Sequence, residues 1–259
     1  MARFAGKAVV VVGAGSVAEG WGNGKAAAVA YAREGGRVLC VDRAATAAAA
    51  TCALIAAEGH SAVPFVSDLT TPGAAEAMVE AAEAAFGRID VLHFNIGIST
   101  PGGVGALDWD EWDRVFNTNV KAAARAAQAV LPPMLRQGKG AMVFISSLAS
   151  VHDSPYAYTS YEASKAALNR MSRSIAVQYA AAGIRCNTVL PGVIDTPHAA
   201  AYVTGTVDHA DTARRRAAMV PMQRQGTAWE VAEAALFLAS DAASFITGVA
   251  LPVDGGMCG

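Results

Sequence analysis

Charge is sparse in this chain. Twenty lysines and arginines against 22 aspartates and glutamates leave a net charge of −2 over 259 residues. The basic residues form no stripe, so no nucleic acid partner is expected. Cysteine is scarce as well: Cys40, Cys52, Cys186 and Cys258 stand singly, with neither metal-ligand spacing nor the density of a disulfide scaffold, and read as reduced thiols. The five histidines form no HExxH or similar cluster, which leaves a metal site unsupported. No apolar run reaches the roughly 18 residues of a membrane span, and the amino terminus leads into a strand without a secretory cleavage pattern. A soluble, cytoplasmic protein without membrane contact is expected. Linkers rich in proline, serine and glycine are missing, as are internal repeats, so a single domain is expected over residues 1–259.

What is present is apolar matter in a regular order. Hydrophobic residues make up 53% of the chain, enough for a large core. Short β-branched runs at 8–12, 37–42, 62–66, 91–95, 141–146, 185–190 and 249–253 alternate with helical stretches near 23–34, 45–58, 73–86, 109–137, 158–182 and 228–239. That alternation marks βαβ units and a parallel sheet. Runs such as AVVVV and AMVFI are apolar throughout, as strands covered on both faces must be. The expected fold is α/β, a doubly wound parallel sheet. Residues 197–226 are the least regular stretch and make a candidate substrate lid.

The first strand runs into Gly13 and Gly15, and after SVAEG a second pair, Gly22 and Gly24, opens a helix. Glycines there let backbone approach a pyrophosphate resting on the helix's positive end. An ordinary strand-to-helix turn uses the same glycines, but Asp42 closes the second strand about 20 residues on, where a carboxylate accepts from both hydroxyls of an adenine ribose. It would repel a 2′-phosphate about 4 Å away by roughly 4 kcal/mol per charge at an effective dielectric of about 20. NAD is therefore expected over NADP, although the neighbouring Arg43 can swing to a phosphate.

The segment YEASK sets Tyr161 and Lys165 four residues apart in a helical stretch, hence on one face. It follows a strand ending Ser146-Ser147, at the sheet edge that also carries the glycine loop. With these features together the chain resembles the short-chain dehydrogenase/reductase superfamily, in its single-domain branch of about 250 residues. Further matches are Asp68 in VSDLT, FNIG at 94–97, Asn119 in NTNV, ISSLAS at 145–150, Asn187 with LPGVIDT, and FLASDAASFITGVALPVDGG at the end. The glycine loop departs from the family, with eight residues between Gly13 and Gly22 where about three are usual. Val12 replaces a threonine and Phe94 an asparagine.

The resemblance implies a seven-stranded sheet (a Rossmann fold), a nicotinamide cofactor and a catalytic tetrad of Asn119, Ser147, Tyr161 and Lys165. Ser146 lies beside Ser147 and offers the same hydroxyl. Cofactor contacts are implied at Gly13, Gly15, Gly22, Gly24, Asp42, Asp68, Asn95, Gly97, Tyr161, Lys165, Pro191, Gly192 and Thr196, with Thr196 also readable as a helix N-cap. A homotetramer is implied, with the final strand and tail against a neighbour. A phenol with a reference pKa near 10 is a poor base at neutral pH, and an ammonium about 4 Å away is worth roughly 4 kcal/mol, or about three pH units. In the implied roles Lys165 also grips the nicotinamide ribose, Ser147 donates to the developing alkoxide, and Asn119 holds a proton-relaying water. Residues 152–158 and the lid, with His198, Tyr202 and His209, are expected to meet a modest, mostly apolar carbonyl compound. Arg214, Arg215 and Arg216 read as a solvated helix face before an anion hook. Trp21 either shields the adenine or anchors its loop. The expected activity is hydride transfer between NAD and a secondary alcohol or ketone. An NADPH-dependent 3-oxoacyl thioester reductase and a catalytically silent NAD-binding redox sensor are the alternatives.

Overall fold

Five consecutive apolar residues make β1 (Ala8–Val12) a strand with both faces buried, and the rest of the architecture supplies the cover. In the computed structural model, which describes residues 2–153, 157–197 and 209–258, α1 (Asn23–Arg33), β2 (Arg37–Asp42), α2 (Ala45–Ala57) and β3 (Ala62–Val66) follow. Then come α3 (Ala74–Phe86), β4 (Val91–Phe94), α4 (Trp109–Phe116), α5 (Ala122–Gln137), β5 (Gly140–Ile145), α6 (Thr159–Tyr179) and β6 (Ile184–Pro191). The chain closes with β7 (Ile194–Asp195), α7 (His209–Ala218), β8 (Gly226–Thr227), α8 (Ala228–Ala239) and β9 (Ala250–Val253). His198 and Tyr202 lie outside the described residues, as do residues 154–156 and the side chain of His209.

The main sheet has seven strands in the order β3-β2-β1-β4-β5-β6-β9, every pairing parallel. Alternate residues of β1 divide between two cores. Val9 and Val11 meet α1 and α8 through Val29, Val231 and Leu236, while Val10 and Val12 meet α3, α5 and α6 through Met78, Ala126 and Leu168. The winding direction reverses between β1 and β4, and it is beyond the carboxyl ends of the strands at such a reversal that open α/β sheets receive ligands. Gly13, Asp42, Asn95, Ser147 and Gly192 all follow or close strands at that edge.

Two helical expectations need correction. The stretch 109–137 is not one regular helix: between α4 and α5, Asn117–Lys121 forms a π-helical turn. Propensity carries no sign of this insertion, which tertiary bonds of Asn119 hold in place. The candidate lid is less irregular than its composition suggested. Its described part contains α7, where Arg215 pairs with Asp211 one turn earlier at 2.7 Å. It ends at a two-residue parallel pairing of β7 with β8. At the strand ends, Asn95 and Ser146 stand just past β4 and β5 rather than closing them.

Candidate functional site

The glycine loop is bound tightly at its start. The N–H groups of Gly13 and Ala14 both donate to Val41 O, at 2.8 and 3.0 Å, and that of Gly15 donates to Asp42 Oδ2 at 3.0 Å. Gly13 takes a left-handed φ of 77°, which favours glycine. A Cβ on Gly15 would fall 2.5 Å from Ala47 Cβ, and one on Gly24 only 1.8 Å from Gly13 O, so helix and strand meet there as closely as backbone allows. Gly22, by contrast, would meet nothing nearer than 3.5 Å; it is the N-cap of α1, with extended dihedrals. The Asn23 side-chain oxygen in the first turn is buried without a partner.

The lengthened part of the loop has its own anchor. Trp21 packs on Trp229 of α8 with ring centroids 4.7 Å apart, and Lys25 Nζ sits 4.9 Å from its ring. Of the two readings of Trp21, these contacts fit the anchor. Nearby, Asp42 Oδ1 accepts from Ala44 N–H at 3.0 Å. Asp68 is exposed, and its Oδ1 accepts from the hydroxyl and amide of Thr70. Those bonds hold its carboxyl below the usual range, with a smaller contribution from Arg43. Asn95 donates to Gly13 O at 3.4 Å.

One turn of α6 brings Tyr161 and Lys165 together, with the lysine nitrogen 5.7 Å from the centre of the tyrosine ring. Lys165 is 2% exposed, and its Nζ donates to Ile145 O at 2.9 Å. Burial lowers its pKa to about 8. Gly97 is what makes room for this cation, because a Cβ there would lie 2.8 Å from Nζ.

Asn119 is fully buried in the π turn. Its Oδ1 accepts from Ile98 N–H at 2.8 Å, and its amide donates to Ile98 O and to Ser164 Oγ, both at 2.9 Å. Ser164 in turn donates to Tyr161 O at 2.7 Å. The side chain thus ties the segment after β4 to the tyrosine's own turn, and its two amide protons are spent. A water-holding role has only the second lone pair of Oδ1 to use. The two serines after β5 separate cleanly. Ser146 is buried and donates to Lys165 O at 3.1 Å, whereas half-buried Ser147 accepts from Ala149 N–H at 3.2 Å. Ser150 donates to Ser147 O and accepts from Asn169.

On the far side, buried Pro191 ends β6 and Gly192 N–H donates to Val253 O at 3.0 Å. A Cβ on Gly192 would fall 2.8 Å from Asp254 Cα, so its bareness serves the tail. Thr196 is buried immediately before Pro197, where helical geometry begins, a setting for an N-cap. Arg216 donates to Ile194 O at 3.2 Å and moors α7 to β7.

The family model described as Enoyl-(Acyl carrier protein) reductase matches residues 17–258. Cis-4-hydroxycyclohexanecarboxylate dehydrogenase of Sinomonas cyclohexanicum is 40% identical over 98% of this chain and 97% of its own. The 2,5-dichloro-2,5-cyclohexadiene-1,4-diol dehydrogenase LinX of Sphingobium indicum is 34% identical over the same shares. A crystal structure from Burkholderia xenovorans, described as a short-chain dehydrogenase/reductase, superimposes with a TM-score of 0.96 at 40% identity, covering 100% of this chain and 98% of that one.

Proposed function

Because this chain belongs to the short-chain dehydrogenase/reductase superfamily, we propose that it transfers a hydride between NAD and a secondary alcohol or ketone. Tyr161 is the general acid/base, moving the hydroxyl proton of the substrate. The observation that carries this role is the buried Lys165 cation set 5.7 Å from the tyrosine ring centre. Its charge favours the phenolate over the phenol. Ser147 donates to the developing alkoxide, a part open to it because Ser146 is committed to Lys165 O. Asn119 keeps the tyrosine's turn in register with the segment after β4.

The residues at this sheet edge suit a dinucleotide. Gly24 and Gly97 clear backbone and cation space that any side chain would fill, and Asn23 leaves a buried polar atom without a protein partner. When bound, the nicotinamide supplies the hydride acceptor or donor. The N–H groups of Gly13, Ala14 and Gly15 are already consumed within the protein. Phosphate contacts therefore fall to the far end of the loop, at Gly22, Asn23 and Gly24, on the positive end of α1. Asp42 and Asp68 serve the adenosine half, the nicotinamide half lies by Asn95, Gly97 and Lys165, and Pro191, Gly192 and Thr196 border it. Asp42 favours NAD, and Arg43 lies in the field of Asp68.

The two relatives named for ring alcohols support a cyclic secondary alcohol as substrate. The 3-oxoacyl-[acyl-carrier-protein] reductase of Thermotoga maritima, 34% identical over 98% of this chain, favours the second reading, an NADPH-dependent 3-oxoacyl thioester reductase. A cytoplasmic homotetramer belongs to the proposal: β9 is an edge strand with Ala250 and Pro252 exposed, beside a fully exposed Phe245. The test follows NADH absorbance with cyclic and open-chain secondary alcohols below pH 8, where Lys165 still holds its proton. Turnover with NAD above NADP is expected. Preference for NADPH and acyl thioesters selects the second reading, and cofactor binding without any turnover selects a silent NAD-binding protein.

A further inference from the structure

A hydroxyl on α2 reaches into the glycine loop. Thr51 is 0% exposed, and its Oγ1 donates to Ala14 O at 2.9 Å, with the Ala47 carbonyl of its own helix at 3.2 Å. A helical threonine ordinarily bonds only the carbonyl one turn back; here the contact outside the helix is the shorter. The peptide it holds, Ala14–Gly15, is gripped at its other pole too, because Gly15 N–H donates to Asp42 Oδ2 at 3.0 Å. Thr51 thus takes the carbonyl and Asp42 the amide of one planar unit. Turning that plane would break both bonds together. The packing leaves little room to turn: a Cβ on Gly15 would meet Ala47 Cβ at 2.5 Å and Asp42 Oδ2 at 2.8 Å.

We infer that Thr51 is a positioning residue for the adenosine half of the cofactor. By fixing the Ala14–Gly15 peptide it fixes the direction of the Asp42 carboxylate, whose remaining lone pairs receive the ribose hydroxyls. The inference rests on the proposed reading of Asp42 as the ribose acceptor. Of the two hydroxyls in ATAAAATCALIAA, Thr46 is exposed and Thr51 is buried; a buried hydroxyl is costly unless bonded, and this one's bond runs to the loop. Neither the loop glycines nor the tetrad motif points to this position.

The test titrates the full-length protein with ADP-ribose, NAD and NADP by calorimetry. Thr51→Val removes the hydroxyl at nearly constant shape, and Thr51→Ser restores it. Thr51→Val is expected to weaken ADP-ribose and NAD by about 5- to 20-fold, as the loss of one buried hydrogen bond implies. It should also narrow the NAD-to-NADP preference and leave kcat within about two-fold, and Thr51→Ser should bind like the parent. In an Asp42→Ala background the Thr51→Val effect should disappear. Should the valine variant fail to fold, Thr51→Cys, similar in size and a weak donor, takes its place with the same expectation. Parental affinity in either variant overturns the inference, and so does an undiminished loss in the Asp42→Ala background, which would mark a purely structural support. A parent protein that binds NAD but not ADP-ribose overturns the reading of Asp42 itself.

Discussion

Replacing Lys165 by methionine should make the cofactor-free protein more stable while abolishing turnover. The lysine nitrogen is buried, and burial takes its pKa from the ordinary 10.5 to about 8. At about 1.4 kcal/mol per pH unit, that fall is a penalty of about 3 kcal/mol for holding the charge in the fold. The sign follows from proton counting. Between pH 8 and 10.5 the unfolded chain binds the proton and the folded chain has released it, so stability rises with pH through this window. Below pH 8 the whole penalty stands. Methionine keeps the length of the side chain and removes the charge, but it leaves Ile145 O without its 2.9 Å donor, a loss of about 1 kcal/mol. A net gain of about 2 kcal/mol at pH 7 remains, or about 4–8 °C in Tm. Urea unfolding of parent and variant at pH 7, 8, 9 and 10, at one protein concentration, measures the difference directly. The gap should be widest at pH 7 and close as the pH approaches 10. A variant that unfolds more easily than its parent at pH 7, or a gap constant with pH, would refute the reasoning.

Four other substitutions test the site. Tyr161→Phe should lower kcat by about 10² to 10⁴ while NAD affinity measured by fluorescence changes little, and a comparable loss of both contradicts its role. Asp42→Ala should cut the ratio of NAD to NADP affinity by about tenfold or more, and an unchanged ratio in calorimetry locates selectivity elsewhere. Gly24→Ala should abolish NAD binding, since the new methyl group would lie 1.8 Å from Gly13 O, whereas Gly22→Ala, with 3.5 Å of clearance, should bind within about three-fold. Equal effects at the two glycines in a binding titration would show that the crowding does not govern the cradle.

The sheet was legible because its strands announce themselves: AVVVV and AMVFI are buried on both faces, and the alanine-rich stretches between them are long enough to cross back. The juxtaposition of Tyr161 and Lys165 was legible for a similar reason, four residues being one turn of a helix. What escaped reading depends on partners distant in sequence. Nothing around Asn119 signals a π turn, since its cause is Ile98, 21 residues earlier, and Ser164, 45 residues later. Thr51 looked like one more residue of an alanine-rich helix, although its bond to Ala14 spans 37 positions. Ser164 stood in plain view inside YEASK, yet only the tertiary bond to Asn119 gives it a part. The two serines at 146 and 147 were equivalent in composition, and the carbonyl of Lys165 distinguishes them. In α7 the helix is supported by local pairing of Asp211 with Arg215, a spacing that was present but outweighed by the irregular residues before it.

The π turn between α4 and α5 also governs which sequence changes this region tolerates. It accommodates one residue more than a regular α-helix in the same span, and each residue turns a helix face by about 100°. Deleting any single position from Asn117 to Lys121 would let an unbroken α ladder form, but the upstream helix would then arrive rotated. The stacked rings of Trp112 and Phe116, 4.9 Å apart, would swing away from their present side, and Glu111 would leave Thr100. Substitution of an outward residue there perturbs one contact, whereas loss of one residue reorients eight upstream ones at once.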